Sequence, residues 1–336
     1  MKLKDIAVEL GVSPATISLA IHNRPGVSMA TRERIFKELR RNGMEKLIPK
    51  EEVRIPRNLQ LVLYKNGKDI ITDSPFFLQL IEGIDNQAKK DNFNLMISYF
   101  TAEENIDHQM EKIRMSNCEG IILLATEMTP DEVLPFKELG LPLIALDQNL
   151  EDDVNSVGIS NESSTKKAVA HLVELGHKQI GYLRSTNRIR NFAERYEGYC
   201  RGMAEAELPI PANGVIDSPP SVDGAYHAMK KQLKQVGLTC TAFVADNDNI
   251  LCGAMKAFRE YNITVPERVS LVGFDDLPMT ELYEPPLNTL RVPKQHMGAV
   301  AVSLMAALLN SPFPLPIHIS IGTELVLRKS SAPPIL

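Results

Sequence analysis

The chain has 336 residues, of which 44% are hydrophobic and 24% are charged, and its formal net charge is −5. This length exceeds the ~100 to 200 residues of a usual domain, so more than one domain with a full-sized core is expected. No run of 18 apolar residues and no signal-peptide pattern occurs, which excludes a membrane-spanning helix and favours a cytoplasmic protein. The four cysteines lack CxxC spacing and are typical of buried free thiols in a reducing compartment.

The first 22 residues predict two short helices joined by a tight turn. Gly11 supplies a left-handed turn after the first helix, and Ser13 followed by proline is an N-cap with proline at the first helical position. Ile17, Ala20 and Ile21 would face back onto the first helix. This is the spacing of a helix-turn-helix, whose second helix enters the DNA major groove. The outward positions are Pro14, Ala15, Thr16, Ser18, Leu19 and His22.

A third helix is predicted after Ser28, in the run from Val27 to Ile35, and residues 1–45 together resemble the DNA-binding headpiece of the lactose/galactose repressor family. The resemblance implies that hydroxyls contact phosphates, that outward residues of the second helix read bases, and that Arg32 and Arg34 lie near the DNA backbone. The family commonly carries Arg where this chain has Leu19. The alternative is a three-helix cap on a larger domain. The candidate DNA-binding residues are Ser13, Pro14, Ala15, Thr16, Ser18, Leu19, His22, Asn23, Ser28, Thr31 and Arg32.

Charge is distributed unevenly along the chain. Residues 1–57 hold 12 Lys and Arg against 7 Asp and Glu, whereas the remaining residues hold 25 against 35. A basic end on an acidic body favours a protein that touches nucleic acid through one module. A solvated charge run gives the same asymmetry and stays as the alternative.

Residues 46–57 are predicted to be a linker between the headpiece and the rest of the chain. In the family that the headpiece resembles, a Pro-Asn-x-x-Ala-x-x-Leu run at this place forms a hinge helix, which wedges a leucine into the minor groove. In this chain the segment after Pro49 lacks the Asn, the Ala and the Leu at the corresponding positions. In addition, Glu51 and Glu52 would repel phosphates. We therefore expect a weak or absent hinge helix.

From residue 58 onward, apolar runs alternate with amphipathic segments, which is the pattern of parallel sheets covered by helices on both faces. The pattern occurs twice and predicts an α/β core over residues 58–336, with two lobes and a cleft between them. Strands are predicted at 59–64, 93–99, 120–124 and 142–146 in the first lobe and at 178–183, 214–216, 241–244 and 269–273 in the second. Helices are predicted near 76–91, 103–116, 130–139, 162–175, 193–206, 222–236 and 249–261.

The second half of the chain resembles the effector-binding core of the same family. The resemblance is carried by the runs His171–Gly181, Ala245–Ala254, Val265–Asp276, Pro285–Pro293 and Glu324–Ser330. It implies a periplasmic-binding-protein-like core whose lobes close on a small molecule, with residues 292–330 crossing back to rejoin both lobes. It also implies a homodimer, and one short helix reads only a few base pairs, so two half-sites are needed. The absence of a leucine heptad disfavours a coiled-coil tetramer.

Polar and aromatic side chains follow several predicted strands, where open α/β sheets form their ligand crevice. A carboxylate accepts two hydroxyl hydrogen bonds, an arginine donates two, and an aromatic ring packs on the C–H face of a pyranose. The resemblance assigns effector contacts to Arg195, Asn247 and Asp275. The alternatives are a loop cap for Asp275, a core position for Phe77 and a lobe hinge for Asp147. The candidate effector-binding residues are Phe76, Phe77, Asp147, Asn191, Arg195, Asn247 and Asp275.

No catalytic motif occurs, since the chain lacks G-x-S-x-G, a P-loop, G-x-G-x-x-G and H-E-x-x-H. We therefore expect a binding protein, not an enzyme, with no cofactor and no metal. The sequence predicts a ligand-responsive transcriptional regulator, a homodimeric repressor of a carbohydrate-utilisation operon that binds a palindromic operator in double-stranded DNA and a small sugar. A regulator that responds to a purine, a phosphorylated ligand or a protein co-repressor is the alternative. Asp147 and Asp275 disfavour an anionic effector, whereas Arg184, Arg188 and Arg190 near the cleft keep a phosphorylated or acidic effector open. A sugar-binding transport protein shares the core but has no use for the headpiece.

Overall fold

The chain forms two compact units, Met1–Arg57 and Asn58–Leu336. The structure, a computed structural model, describes residues 3–22, 26–48, 56–67, 70–150, 154–311, 313 and 315–335. Over these residues the first unit holds three α-helices, and the second holds two six-stranded sheets with their helices. Within the same residues no helix is long and apolar enough to cross a membrane.

The first unit is a helical headpiece built around one small core. Its helices are α1 (Leu3–Leu10), α2 (Pro14–Ile21) and α3 (Met29–Arg41), followed by one 3-10 turn at Glu45–Leu47. Gly11 has a φ of +67°, which is the left-handed turn predicted between the first two helices. The expected absence of a hinge helix concerns residues 49–55, which lie outside the described residues. The buried core side chains are Ile6, Ala7, Ile17, Ala20, Val27, Ile35 and Leu39.

The first lobe of the second unit is built on one sheet. Its strands are β1 (Arg57–Lys65), β2 (Phe93–Thr101), β3 (Gly120–Leu124), β4 (Leu143–Leu146), β5 (Asn155–Ile159) and β11 (His318–Ile321). They lie in the order β11-β5-β4-β3-β1-β2. The pairs β1–β3, β3–β4, β4–β5 and β5–β11 are parallel. Every residue of β3 and β4 is buried, as expected for central strands of a sheet covered on both faces.

The second lobe repeats this arrangement. Its strands are β6 (Ile180–Ser185), β7 (Val215–Ser218), β8 (Ala242–Ala245), β9 (Ser270–Asp275), β10 (Asn288–Arg291) and β12 (Glu324–Val326). They lie in the order β12-β10-β9-β8-β6-β7, and β12 is antiparallel to β10 whereas the other pairs are parallel. The carboxyl ends of β8 and β9 therefore meet at one edge of the sheet.

The helices of the second unit alternate with these strands. They are α4 (Ile70–Asp73), α5 (Phe76–Lys90), α6 (Ile106–Met115), α7 (Pro130–Lys137), α8 (Asn161–Glu174), α9 (Arg190–Glu205), α10 (Val222–Gln235), α11 (Asp248–Glu260) and α12 (Lys294–Asn310). The predicted fold class is confirmed, with all eight predicted strands and all seven predicted helices present. The short α4, the long α12 and the strands β5, β10, β11 and β12 were not predicted as elements.

The chain passes between the lobes at three places: from β5 to α8, from β10 to α12, and from β11 to β12. The prediction that residues 292–330 rejoin both lobes is therefore confirmed. α12 packs against α5 with the two backbones in contact. A Cβ on Gly83 would lie 2.1 Å from the carbonyl oxygen of Gln295, and one on Gly298 would lie 2.4 Å from that of Leu80. Only glycine permits this approach, so the two helices are closely packed along this contact.

Candidate functional site

The second and third helices of the headpiece begin with the same arrangement of hydroxyls. Ser13 Oγ accepts a hydrogen bond from the backbone N–H of Thr16 at 3.0 Å and lies 2.8 Å from Thr16 Oγ1. Ser28 Oγ accepts from the N–H of Thr31 at 3.2 Å and lies 2.8 Å from Thr31 Oγ1. Each hydroxyl pair lies at a helix start, where the backbone N–H groups and the helix dipole favour an anion such as a phosphate.

The outer face of α2 carries most of the side chains expected there. Leu19 is only partly exposed, because it packs against the headpiece core. Thr16 is also partly exposed, and Asn23 lies outside the described residues. This face therefore offers small and polar groups with one half-buried leucine. The exposed residues of α2 and its C-cap are Pro14, Ala15, Ser18 and His22.

Arg32 lies inside the headpiece, which corrects its expected place near the DNA backbone. The residue is 4% exposed, and its Nη1 donates to the carbonyl oxygen of Ala20 at 3.1 Å. It therefore stabilises the C-terminal turn of α2, whose last carbonyls have no partner within the helix. The sequence alone could not show this, because the packing of the three helices determines which face of α3 is buried. Arg34, by contrast, is exposed.

The seven predicted effector residues all line one cleft of the second unit. They come from both lobes and lie at the carboxyl ends of strands or in the first two turns of the following helices. Sequence reasoning missed half of the lining, of which Thr126 and Asn249 carry polar groups and Phe192 adds an aromatic ring. The residues missed are Ile70, Ser74, Thr126, Ile189, Phe192, Pro220 and Asn249.

Arg195 and Asp275 form a buried ion pair in the second lobe. Nη1 of Arg195 lies 3.5 Å from Oδ1 of Asp275, and both side chains are less than a tenth exposed. Arg195 is further held by Nε, which donates to Asn161 Oδ1 at 2.9 Å, and by Nη1, which donates to the carbonyl oxygen of Asp246 at 2.6 Å. Its guanidinium lies over the ring of Phe274, with Cζ 3.6 Å from the centroid. The guanidinium is thus fixed before any ligand enters.

The Asp275 carboxylate faces the cleft from a backbone of positive φ, +110°. Burial raises the pKa of Asp275, and the charges of Arg195 and Lys294 oppose that rise. A loop-cap role for Asp275 has no support, because its described contacts show the carboxylate accepting no backbone N–H. The two cations keep a carboxylate acceptor available in a buried place.

Asp147 contributes a second carboxylate from the first lobe. It follows β4 with a φ of +62°, and its Oδ2 accepts from Thr126 Oγ1 at 2.6 Å. Its other oxygen, Oδ1, is buried and has no hydrogen-bond partner among the described residues. Burial raises the pKa of Asp147 to about 7, against the lowering effects of the Thr126 hydrogen bond and the Arg195 charge. Asn191 Nδ2 donates to the Asp147 carbonyl at 3.0 Å, so this residue also joins the two lobes.

Asn247 and Asn249 supply amides from the start of α11. Asn247 Oδ1 caps the helix by accepting from the N–H of Ile250 at 2.9 Å. Asp248 between them points away from the cleft, because its carboxylate accepts from Thr289 Oγ1 at 2.7 Å and from the N–H of Leu277 at 2.8 Å. Both asparagines line the cleft, and neither amide nitrogen bonds to another described residue.

The three arginines that favoured an acidic or phosphorylated effector in the sequence analysis form ion pairs outside the cleft. Arg184 makes two hydrogen bonds to the Asp217 carboxylate, at 2.7 and 2.9 Å. Arg188 lies 3.5 Å from the same carboxylate, and Arg190 pairs with Glu194 at 3.0 Å. None of the three lines the cleft. Among the described residues, no group of His, Cys, Asp and Glu is arranged to hold a metal ion.

Residues 2–41 match the family described as bacterial regulatory proteins, lacI family, and residues 169–331 match the periplasmic binding protein-like domain. The chain is 25% identical over 335 residues to the HTH-type transcriptional repressor PurR of Haemophilus influenzae, with 98% of each chain covered. The Lac repressor dimer bound to operator and the anti-inducer ONPF shares the fold, with a TM-score of 0.76, 21% identity and 99% of each chain covered. So does the transcriptional regulator CelR in its complex with cellobiose, with a TM-score of 0.74, 23% identity and coverage of 98% of this chain and 99% of that one. The chain therefore carries an N-terminal DNA-binding domain of the lacI family of bacterial regulatory proteins, followed by a periplasmic binding protein-like domain.

Proposed function

We propose that the chain is a ligand-responsive, homodimeric transcriptional repressor, which binds a palindromic operator and controls carbohydrate-utilisation genes, and that its effector is a small neutral sugar. The observation that supports the sugar is the pair of buried carboxylates, Asp147 and Asp275, facing one cleft from opposite lobes. Each carboxylate can accept hydroxyl hydrogen bonds, and Oδ1 of Asp147 has no other described partner. A ligand that spans both must carry donors at its two ends, as a sugar ring does.

The other cleft residues fit the same ligand chemistry. The rings of Phe76 and Phe77 lie 5.1 Å apart and close one side of the cleft, and Phe192 lies on the other lobe. Aromatic rings pack against the C–H faces of a sugar. The amides of Asn247 and Asn249 supply donors and acceptors for further hydroxyls. The cleft thus combines apolar walls with a few convergent polar groups.

A phosphorylated effector is disfavoured by charge. Arg195 is the cation that lines the cleft within the described residues, and it already faces Asp275. Two carboxylates against one guanidinium leave the cleft with no surplus positive charge. A phosphate would meet these carboxylates without a free cation to compensate it.

A purine effector is the second candidate, and it is favoured by the full-length match to a repressor named PurR. The three phenylalanines could stack on a flat ring, and the asparagine amides could pair with its edge. A purine base offers fewer donors than a sugar, so it would leave more of the two carboxylates unpaired. The two candidates therefore predict different binding in a direct comparison.

The headpiece roles are part of the same proposal. The hydroxyl pairs Ser13–Thr16 and Ser28–Thr31 would bind two phosphates, which fixes the position of α2 on DNA without reading sequence. The exposed face of α2 would then contact base edges in the major groove. A second headpiece is needed for a useful operator length, because one such helix reads only a few base pairs.

A homodimer is supported by an apolar surface on the first lobe. Leu78 on α5 is 73% exposed, and Tyr99 on the edge strand β2 is 62% exposed, with Ile97 on the same face of that strand. Exposed apolar residues on an edge strand and a neighbouring helix mark an interaction surface. The Tyr99→Lys variant should shift the sedimentation of the chain towards monomer. The Met115→Lys variant, which changes an equally exposed residue on α6, should leave it unchanged.

The sugar proposal is tested by calorimetric titration of the full chain with neutral sugars, sugar phosphates and purine bases. We expect binding of a neutral sugar, and a loss of about tenfold or more in the Asp275→Asn variant, since hydrogen bonds to a charged group contribute roughly 1.5 to 3 kcal/mol. The matched control is Asp223→Asn, because that carboxylate is exposed on α10. Binding of a purine base alone, or unchanged sugar affinity in Asp275→Asn, would reject the sugar reading of the cleft.

A further inference from the structure

Lys294 has a buried ammonium group at a place that disfavours a cation. It is the first residue of α12, where the helix dipole opposes positive charge, and it is only 5% exposed. Burial lowers the pKa of Lys294, and the carboxylates of Asp275, Asp276 and Asp248 oppose that fall. A buried cation persists only where specific acceptors replace its hydration.

Three backbone carbonyls provide those acceptors. Nζ of Lys294 donates to the carbonyl oxygens of Asp275 at 2.5 Å, Asp276 at 3.3 Å and Val292 at 3.4 Å. Asp275 and Asp276 have φ values of +110° and +55°. A backbone with positive φ is unfavourable for residues other than glycine, so the surrounding structure must hold it. The ammonium binds the carbonyls of both strained residues at once.

The same ammonium also touches the opposite lobe. Nζ lies 5.6 Å from the ring centroid of Phe76, which is the first residue of α5 and lines the cleft. A cation over an aromatic face is attracted to it, more strongly when both are desolvated. α5 and α12 are in close backbone contact at Gly83 and Gly298, so the backbone of Lys294 belongs to the first lobe. Its ammonium, by contrast, binds the Asp275–Asp276 turn of the second lobe.

We propose that Lys294 is a positioning residue, which keeps the Asp275–Asp276 turn facing the cleft and links that turn to Phe76 at the start of α5. The proposal rests on the proposed function only in treating Asp275 as an effector contact. Movement of the Asp275 carboxylate on ligand binding would then displace the Lys294 ammonium and, through it, the first turns of α5 and α12.

The test is hydrogen–deuterium exchange of the full, effector-free chain, so its outcome is independent of which effector binds. The reporters are amides of the turn, where the N–H of Asp276 donates to Thr289 Oγ1 and that of Leu277 donates to Asp248 Oδ2. We expect the Lys294→Met variant to exchange at least about tenfold faster, equivalent to about 1.4 kcal/mol, in segments 275–278 and 76–80. Segment 57–65 of β1 should keep its rate. Lys294→Arg, which retains the charge, should stay within about threefold of the parent.

The matched control is Gln295→Ala, because the neighbouring side chain lies on the surface and donates to Glu82. It should change neither segment. The proposal would be overturned if segment 275–278 of the Lys294→Met variant exchanged at the wild-type rate. An equally large increase in the exchange rate of β1 would overturn it too. An Arg variant that exchanges as fast as the Met variant would overturn it as well. If the Met variant does not fold, Lys294→Gln replaces it, with an increase in the same two segments expected and the same outcomes decisive.

Discussion

The guanidinium carbon of Arg195 lies 3.6 Å from the centroid of the Phe274 ring. The residue that follows Phe274 is Asp275, the carboxylate that Arg195 faces in the cleft. The end of β9 therefore supplies both the surface on which the guanidinium rests and its anionic partner. A guanidinium suits this arrangement, because it stacks flat on an aromatic ring and presents its donors in a rigid planar fork, whereas an ammonium has no flat face.

The Arg195→Lys variant should consequently lose effector affinity although the charge is kept. We expect a loss of about tenfold or more, because Asn161 and the Asp246 carbonyl lose their donor and the cleft carboxylate loses its oriented partner. Arg201→Lys on the same helix is the control, since Arg201 is 55% exposed and pairs with Glu197 and Glu162 at the surface. Titration of the two variants with the sugar that binds the parent measures the difference. Equal affinity of the Arg195→Lys variant and the parent would contradict the role of the stack.

Asp147 predicts a pH dependence of stability. Its folded pKa of about 7 lies above the ~3.9 of an unfolded Asp, so the folded state binds more protons between these values. The stability contributed by this group is therefore complete below about pH 4 and falls as the pH rises through 7. The fall amounts to at most about 4 kcal/mol, at 1.36 kcal/mol per pKa unit. Asp246 and Asp248, whose burial also raises their pKa values, to about 6 and about 8, act in the same direction.

The Asp147→Asn variant isolates that contribution, since asparagine tolerates positive φ and can still accept from Thr126. Urea unfolding at pH 5 and pH 8 should show the variant gaining stability relative to the parent as the pH rises. Asp246 and Asp248 are unchanged in both chains, so their effect cancels in the comparison. A parent-to-variant difference that is the same at both pH values would show that Asp147 is not held with a raised pKa.

Leu19 tests which surface reads bases. The Leu19→Arg variant should change base preference at one position of each half-site, because a bidentate donor reaches the major groove from α2. Val8→Arg adds the same charge to α1 at a residue that is 83% exposed, and it should raise affinity for all DNA without altering the preferred sequence. Selection from randomised duplexes gives both motifs. Identical motifs for Leu19→Arg and the parent would place Leu19 outside the reading surface.

Arg32 is expected to act through the fold of the headpiece. Arg32→Met removes the donor to Ala20 and should weaken binding to every DNA sequence by a similar factor, because α2 is less well held. The salt dependence of binding should stay the same, since no phosphate contact is lost. Binding measured at several salt concentrations decides this. A shallower salt slope in the variant would show that Arg32 reaches a phosphate after all.

Most of the core could be predicted from the sequence because its central strands are continuous apolar runs. β3 and β4 are buried at every position, so each residue of these strands is apolar whichever face of the sheet it lies on. β11 has alternating exposed and partly buried residues at a sheet edge, and its pairing with β5 joins segments about 160 residues apart. No local pattern reports such a partner. α12 is buried on much of its surface, so it lacks the polar stripe by which a surface helix is recognised.

The cleft was predictable where chemistry and position coincide. Asp147 directly follows β4 and Asp275 ends β9, so the carboxyl ends of two strands in different sheets bring them to the cleft between the lobes. Asn249 lies within a helix, and Lys294 acts from 19 residues beyond Asp275, where only the tertiary structure reveals the contact. The prediction for Arg32 was wrong, since this charged residue on a predicted DNA-binding helix is buried inside the headpiece.

The most direct test of the account is the affinity of the full chain for a selected palindromic duplex, measured by fluorescence anisotropy with and without candidate effectors. The account predicts that a neutral sugar changes operator affinity by about tenfold or more, and that Asp275→Asn abolishes this response while leaving the sugar-free affinity within about threefold. The contrary result would be operator binding that only a purine or a sugar phosphate alters, or a response that persists in Asp275→Asn.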